Sequence, residues 1–539
     1  MNHLIHDSIF DSAARTPDAE ALVHGAQRCT YAVLAAQVRA AAALFLAHGL
    51  RPGERVAIYM EKRIENVAAM FGAAAAGGVF VPVNPLLKPD QVAYILADCN
   101  VRILVTTPER HAQLAPVLGR CPGLGAVVLA GGGTAGGNSA SGPSAPVLAD
   151  WNTHGDGAAG AQPHRRIDTD MAAILYTSGS TGAPKGVVLS HRNMVAGAAS
   201  VAHYLGLTAQ DRLLAVLPLS FDYGLSQLTT AFLRGASVVL INHLFAKDIV
   251  AAVRAERITG LAAVPPLWIA LARLDWPAGC TLRFITNSGG AMPVVTVQAL
   301  RAALPATEIF LMYGLTEAFR STYLPPAELA RRPDSIGRAI PNADVLVVRP
   351  DGSACADDEP GELVHRGPLV ALGYWNDPAR TAQRFRPAPG QDPALPLAEL
   401  AVWSGDTVRR DRDGYLYFIG RSDEMIKVSG YRISPTEVES VLHATGLVAE
   451  AAVFGIEDEA LGQAIVAVAV PAEDGIDSAA LLAECRRRLP AYMVPAHLVL
   501  RTEALPRNPN GKIDRNLLRQ AFQSRAQAGP LPFAPFVRS

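Results

Sequence analysis

The chain lacks the cysteine patterns of an extracellular or metal-stapled protein. Its six cysteines (Cys29, Cys99, Cys121, Cys280, Cys355, Cys485) are scattered, with no C-x-x-C pair and no histidine partner at metal spacing. That predicts reduced thiols in a cytoplasmic protein. It also lacks net charge, with 48 basic residues against 49 acidic ones. This balance argues against a polyanion-binding surface, so no nucleic-acid partner is expected. Long apolar runs are missing too. The longest, 67–83, is mostly Ala and Gly and contains Pro82; it is short for a membrane span and reads as a buried helix, a Gly77-Gly78 turn and a short strand. Asp7 and Asp11 sit where a signal segment would need a basic stretch followed by an apolar block. There is no internal repeat.

What is present is an α/β pattern. With 539 residues, half of them hydrophobic, the chain can bury a large core across several domain-sized units. Tyr31, Leu34, Val38, Ala41 and Phe45 recur at helical spacing before Gly49, then 55–60 reads as a strand, 90–98 as a helix and 102–106 as a strand. This alternation predicts layered sheets. Between 130 and 163 the composition shifts to Gly, Ala, Ser and Asn, which predicts a flexible loop. Strands are expected again at 172–176, 237–241 and 308–312.

A boundary is expected at 420/421, closing a large N-terminal body over 1–420 with mixed sheets. Beyond it, Ser434-Pro435-Thr436-Glu437 has the spacing of a capping box with proline at the first helical position, opening a helix that stops near Gly446. Strands at 448–456 and 464–470 and a helix at 478–489 complete a small α+β domain over 421–522. Pro530, Pro532 and Pro535 mark 523–539 as a loosely ordered tail.

Residues 176–186, Tyr-Thr-Ser-Gly-Ser-Thr-Gly-Ala-Pro-Lys-Gly, carry the strongest chemical signal. Glycines (Gly179, Gly182, Gly186) let backbone N–H groups converge, hydroxyls (Thr177, Ser178, Ser180, Thr181) add donors, and Lys185 adds charge: the makings of a phosphate cradle. It is not a Walker A loop, since Pro184 precedes the lysine and no Ser or Thr follows it. The next residues, 187–190, read as a strand, so no helix N-terminus supplies a dipole there.

Further polar signatures follow apolar strands in a fixed order: Leu217-Pro218-Leu219-Ser220-Phe221-Asp222, Asn287-Ser288-Gly289-Gly290-Ala291, Tyr313-Gly314-Leu315-Thr316-Glu317, Ser404-Gly405-Asp406, Gly420-Arg421-Ser422-Asp423 and Asn510-Gly511-Lys512-Ile513-Asp514. Taken in that order, the set resembles the AMP-forming adenylating enzymes, the superfamily of acyl-CoA synthetases, peptide-synthetase adenylation domains and luciferases. The resemblance runs from the first helix to Lys512.

It implies ATP and Mg²⁺ as cofactors and a small carboxylic acid as substrate. By resemblance the loop of Thr177, Ser178, Gly179, Ser180, Thr181 and Gly182, with Lys185, grips phosphates. Thr316 contacts phosphate and Glu317 binds the metal; Gly289, Gly290, Ala291 and Tyr313 line the adenine slot; Asp406 and Arg421 hold the ribose. Phe221, Asp222, Ser288 and Gly314 border the acid pocket. Lys512 bridges the carboxylate and the α-phosphate. Asp423 matches the hinge of a mobile C-terminal domain and Gly430 its thiol passage. The chemistry requires such a set, because joining a carboxylate to a phosphate opposes two anions.

The substrate is read less directly. Phe221-Asp222 stands where peptide-synthetase domains place an aspartate against an amino acid's ammonium; Asp222 also fits a residue that merely orders the turn-like Tyr223-Gly224. The run from Tyr313 through Arg320 to Tyr323, with 423–431, most resembles exosortase-associated acyl-CoA ligases. The leading reading is therefore an AMP-forming acyl-CoA ligase using coenzyme A. The alternatives are an amino-acid ligase loading the phosphopantetheine of an acyl carrier protein, and an inactive nucleotide-binding scaffold.

Overall fold

The computed structural model describes residues 3–131, 146–153, 162–177, 184–421, 424–428, 431–458, 461–473, 475–509 and 511–527. Four sheets organise them. A nine-stranded sheet has a parallel centre of Glu20–His24, Ser237–Leu240, Arg212–Ala215, Gly260–Ala263, Phe284–Asn287 and Glu308–Tyr313, with antiparallel strands at both edges. An eight-stranded sheet runs from Gly373–Tyr374 through Lys185–Ser190, Met171–Thr177, Val79–Pro82, Arg55–Tyr59, Val101–Thr106 and Ala126–Leu129 to Val147–Asp150. The central parallel strands are buried nearly throughout, as sheets covered on both faces must be.

Helices pack between these layers, and small residues let them approach. The helix Tyr31–Ala47 buries Tyr31, Leu34, Val38, Ala41 and Phe45 as its spacing predicts, and Gly49 ends it at φ +75°. It lies against Ile64–Ala75, where a Cβ on Gly72 would stand 2.5 Å from the Ala41 methyl. A large shared hydrophobic core results, with a second cluster that includes Val79, Val92 and Leu104.

The third sheet is antiparallel (Asp344–Val348, Gly361–Arg366, Leu400–Arg410, Phe385–Pro387, with Leu416–Arg421 on Leu400–Arg410). The fourth belongs to the C-terminal part: Ile426–Val428, Tyr431–Ile433, Val448–Asp458, Gly462–Pro471 and His497–Leu500. Its helices Pro435–Ala444 and Ser478–Arg488 close over a separate core containing Val438, Leu442, Leu481 and Cys485. The chain is thus a mixed α/β protein with a large N-terminal body and a small C-terminal domain.

Three sequence expectations are corrected. Residues 130–163 are not loop throughout: Val147–Asp150 is an edge strand parallel to Ala126–Leu129, and Trp151 behind it is buried. A four-residue edge strand is too short to show periodicity. Ser434 does precede its helix, but its hydroxyl meets the Thr436 hydroxyl at 2.7 Å instead of capping a backbone N–H. The helix Arg515–Gln527 crosses the expected tail boundary at 523, because Leu518 and Phe522 pack beneath the small sheet. Residues 132–145, 154–161 and 528–539 lie outside the described residues.

Candidate active site

The turns that leave the C-terminal ends of parallel strands in the nine-stranded sheet converge on one crevice, the usual ligand position in open α/β sheets. Three of these exits matter: 216–222 after Arg212–Ala215, 288–291 after Phe284–Asn287, and 314–320 after Glu308–Tyr313.

In the eight-stranded sheet, Thr177 ends one strand and Lys185 begins the next, paired in antiparallel register. Ser178, Gly179, Ser180, Thr181 and Gly182, which connect them, lie outside the described residues. The Thr177 hydroxyl is buried with no hydrogen-bond partner among the described residues, an orphan suited to a phosphate oxygen. Lys185 Nζ donates to Glu317 Oε1 at 2.8 Å and to the Tyr374 hydroxyl at 2.9 Å, and that hydroxyl donates to the same Glu317 oxygen at 2.5 Å. Burial pushes the Glu317 carboxyl up, but Lys185 and Tyr374 outweigh it and hold the carboxyl below its ordinary value. Glu317 therefore stays anionic. It sits with Thr316 in a buried 3₁₀ turn, Thr316–Ala318.

Beside the Leu400–Arg410 strand, the Tyr313 hydroxyl donates to Asp406 Oδ2 at 2.5 Å, and Arg421 Nη1 lies 3.3 Å from Asp406 Oδ1. Burial and the Asp406 charge push the Tyr313 hydroxyl well above its ordinary value, so it remains a donor. Gly289 adopts φ +84°, and a Cβ there would stand 3.1 Å from Lys512 Cε. Both conformation and space call for glycine. Asn287 Nδ2 donates to the Gly290 carbonyl at 3.2 Å, holding the turn that ends in exposed Gly290 and Ala291.

Phe221 precedes the helix Asp222–Arg234, and Asp222 is its first residue. Asp222 is 4% exposed, and its Oδ2 accepts from Arg320 Nη1 at 3.1 Å; Arg320 is 1% exposed. The guanidinium also lies 4.6 Å from the Tyr223 ring centroid. Ser288 is buried, and Gly314 is needed bare because a Cβ would stand 3.1 Å from Arg320 Cα.

Lys512 enters from the small domain, its Nζ 5.6 Å from the Phe221 ring centroid. Asn84 Nδ2 donates to the Pro509 carbonyl at 2.8 Å, and Asn508 Oδ1 accepts from the Lys512 amide at 3.1 Å, fixing that turn against the body. Burial lowers the Lys512 ammonium below its ordinary value; Asp222 and Asp406 oppose this while Arg421 adds to it. Asp423 and Gly430 lie outside the described residues.

Sequence reasoning passed over two residues. Tyr374 lies 57 positions from Glu317, in a Gly-Tyr-Trp string with no catalytic signature. Arg320 lay within a quoted motif, but nothing in the string showed that it reaches Asp222, 98 positions away. Among the described residues no group of three or more His, Cys, Asp or Glu could hold a metal by itself, and no helix is long and apolar enough to cross a membrane.

The AMP-binding enzyme family matches residues 9–375, and the AMP-binding enzyme C-terminal domain matches residues 437–512. The L-proline--[L-prolyl-carrier protein] ligase of Pseudomonas fluorescens is 32% identical over 95% of this chain and 98% of its own length. Tyrocidine synthase 3 of Brevibacillus parabrevis is 31% identical over 98% of this chain, which spans 8% of that much longer protein. Among solved structures, the anthranilate CoA ligase AuaEII in complex with anthranoyl-AMP superposes with a TM-score of 0.86 at 26% identity, covering 97% of this chain and 98% of that one. With both family domains matched in order and the crevice assembled between them, the chain belongs to the AMP-binding, adenylate-forming enzymes.

Proposed function

We propose that the chain is an acid–thiol ligase that activates a carboxylic acid with ATP and passes the acyl group to coenzyme A. In the first step a carboxylate oxygen attacks the α-phosphorus, the bond to the β-phosphate breaks, and pyrophosphate leaves. In the second the thiolate sulfur attacks the acyl carbon, AMP leaves, and the thiol proton goes to solvent.

Lys512 offsets the repulsion between carboxylate and α-phosphate, while the loop from Thr177 to Gly182 and Lys185 hold the departing phosphates. Thr316 adds a hydroxyl to that group. Tyr313 and the bare backbone of Gly289 and Gly290 receive the adenine; Asp406, positioned by Arg421, accepts from the ribose. A Mg²⁺ ion fits at Glu317, whose buried anionic carboxylate would hold it alongside phosphate oxygens, supplying charge neutralisation there. Residues 421–522 act as a lid that turns about Asp423, withdrawing Lys512 and bringing Gly430 to the thiol path.

The observation that favours a simple acid over an amino acid is the Arg320–Asp222 ion pair. Asp222 already has a buried counter-ion, so it does not depend on a substrate ammonium. The second reading, an amino-acid ligase serving a carrier protein, is favoured by likeness to the prolyl-carrier protein ligase over nearly its whole length. ATP–pyrophosphate exchange with fatty, aryl and amino acids, followed by thioester formation with coenzyme A or a phosphopantetheinylated carrier, separates them. Exchange driven by simple acids and completed by coenzyme A is expected; exchange driven by amino acids alone would overturn the first reading. Lys512→Ala should suppress exchange yet spare thioester formation from supplied acyl-adenylate, and equal loss in both would remove Lys512 from the first step.

A further inference from the structure

Arg320 uses less of its guanidinium than its burial warrants. Nη1 serves Asp222 Oδ2 at 3.1 Å and the Phe319 carbonyl at 2.9 Å. Nε and Nη2 are buried and have no hydrogen-bond partner among the described residues. Those two nitrogens form one edge of the planar group, a parallel pair of N–H donors shaped for oxygen acceptors. Buried polar groups are almost always satisfied, and an unsatisfied charged donor is costly.

The placement of this edge is deliberate in backbone terms. Phe319 adopts φ +56°, uncommon for a bulky residue, and it turns the chain after Thr316–Ala318 so that Arg320 faces inward. Gly314 makes room for the Arg320 backbone. The guanidinium then meets the first residue of the helix Asp222–Arg234, next to Phe221, whose ring faces Lys512. Lys512, Asp222 and Arg320 therefore stand in succession on one side of the crevice. The reacting carboxylate belongs at Lys512, so the part of the acid beyond it runs toward Arg320.

We infer that the Nε/Nη2 edge of Arg320 is a specificity determinant, and that the acid carries a second oxygen acceptor (hydroxyl, carbonyl or carboxylate) beyond its reacting carboxylate. This rests on the ligase reading above. A plain hydrocarbon acid leaves the edge unpaired, whereas an oxygenated one completes it. The pocket's charges, two cations and one anion, are balanced by the reacting carboxylate alone, so the second acceptor need not be charged. A neutral carbonyl or hydroxyl is enough.

The test is pyrophosphate release by the whole chain with matched acids: short aliphatic and aryl carboxylates, each compared with its hydroxy, oxo and second-carboxylate counterparts. Sites built to hydrogen-bond a substrate oxygen reject the analogue lacking it strongly, so an advantage of ~10³-fold in kcat/KM is expected for the oxygenated member of the best pair. The three oxygenated arms distinguish neutral from charged acceptors. In Arg320→Met the advantage should fall to within about tenfold. Equal kcat/KM for hydrocarbon and oxygenated acids in the wild type, or an advantage kept intact in Arg320→Met, would overturn the inference while leaving the ligase reading standing. No release with any acid would overturn both. Should Arg320→Met fail to fold, Asp222→Leu combined with Arg320→Met removes both charges, and the wild-type comparison decides by itself.

Discussion

Two of the crevice's ion pairs are built differently. Lys185 and Glu317 meet at 2.8 Å with side chains 17% and 10% exposed, while Arg320 and Asp222 meet at 3.1 Å with 2% and 4%. The first joins a flexible point charge to a carboxylate with Tyr374 as a shared third partner. Each member can exchange the other for a ligand group at small cost, because a lysine reorients easily. The second is a planar fork locked against an aromatic ring and a helix end. On the proposed reading, the Lys185–Glu317 charges are exchangeable for those of ATP and its metal, whereas the Arg320–Asp222 charges are fixed and would select among acids.

Breaking the fixed pair should have the largest effect. Arg320→Met strands Asp222 in the interior, for which a loss of about 3–5 kcal/mol in unfolding free energy is expected; combining it with Asp222→Leu should recover most of that. Urea unfolding of the two variants checks this, and an equal loss in both would show that packing, not charge, dominates. At the exchangeable pair the main effect should fall on turnover. Lys185→Ala is expected to raise the barrier to pyrophosphate release by about 3 kcal/mol, with a smaller loss of stability than Arg320→Met. Unchanged turnover would remove Lys185 from the phosphate site.

Tyr374→Phe sharpens the contrast with the smallest change. Losing the hydroxyl that donates to Glu317 and accepts from Lys185 should cost about 2 kcal/mol, read as lower stability above pH 5. The sign follows from Glu317: its folded value is depressed, so its stabilisation is present above the ordinary 4.5 and is lost as pH falls through the lower folded value. Tyr374→Phe should move that acid limb upward toward 4.5. An acid limb unmoved by the change would mean that Lys185 alone holds Glu317 ionised.

Tyr313–Glu317 and the Lys512 turn were legible as short polar runs, and both meet in one crevice, while 178–183 of the loop between Thr177 and Lys185 lie outside the described residues. Gly289 and Gly314 were legible as glycines before anything showed what filled the space beside them. Val147–Asp150 was hidden because four edge residues carry no period, and the Ser434 hydroxyl was misread because Thr436 offered a nearer partner.

By itself the sequence determined the ordered motifs, the alternating α/β pattern and the inventory of charges, since these depend on local composition and spacing. Only the tertiary structure decided which charges neutralise each other. Lys185 finds Glu317 across 132 positions and Arg320 finds Asp222 across 98. Pairings at such separations are set by strand order and by the positive-φ turn at Phe319, and within a low-dielectric crevice it is the partner, not the residue type, that fixes what a charge can do.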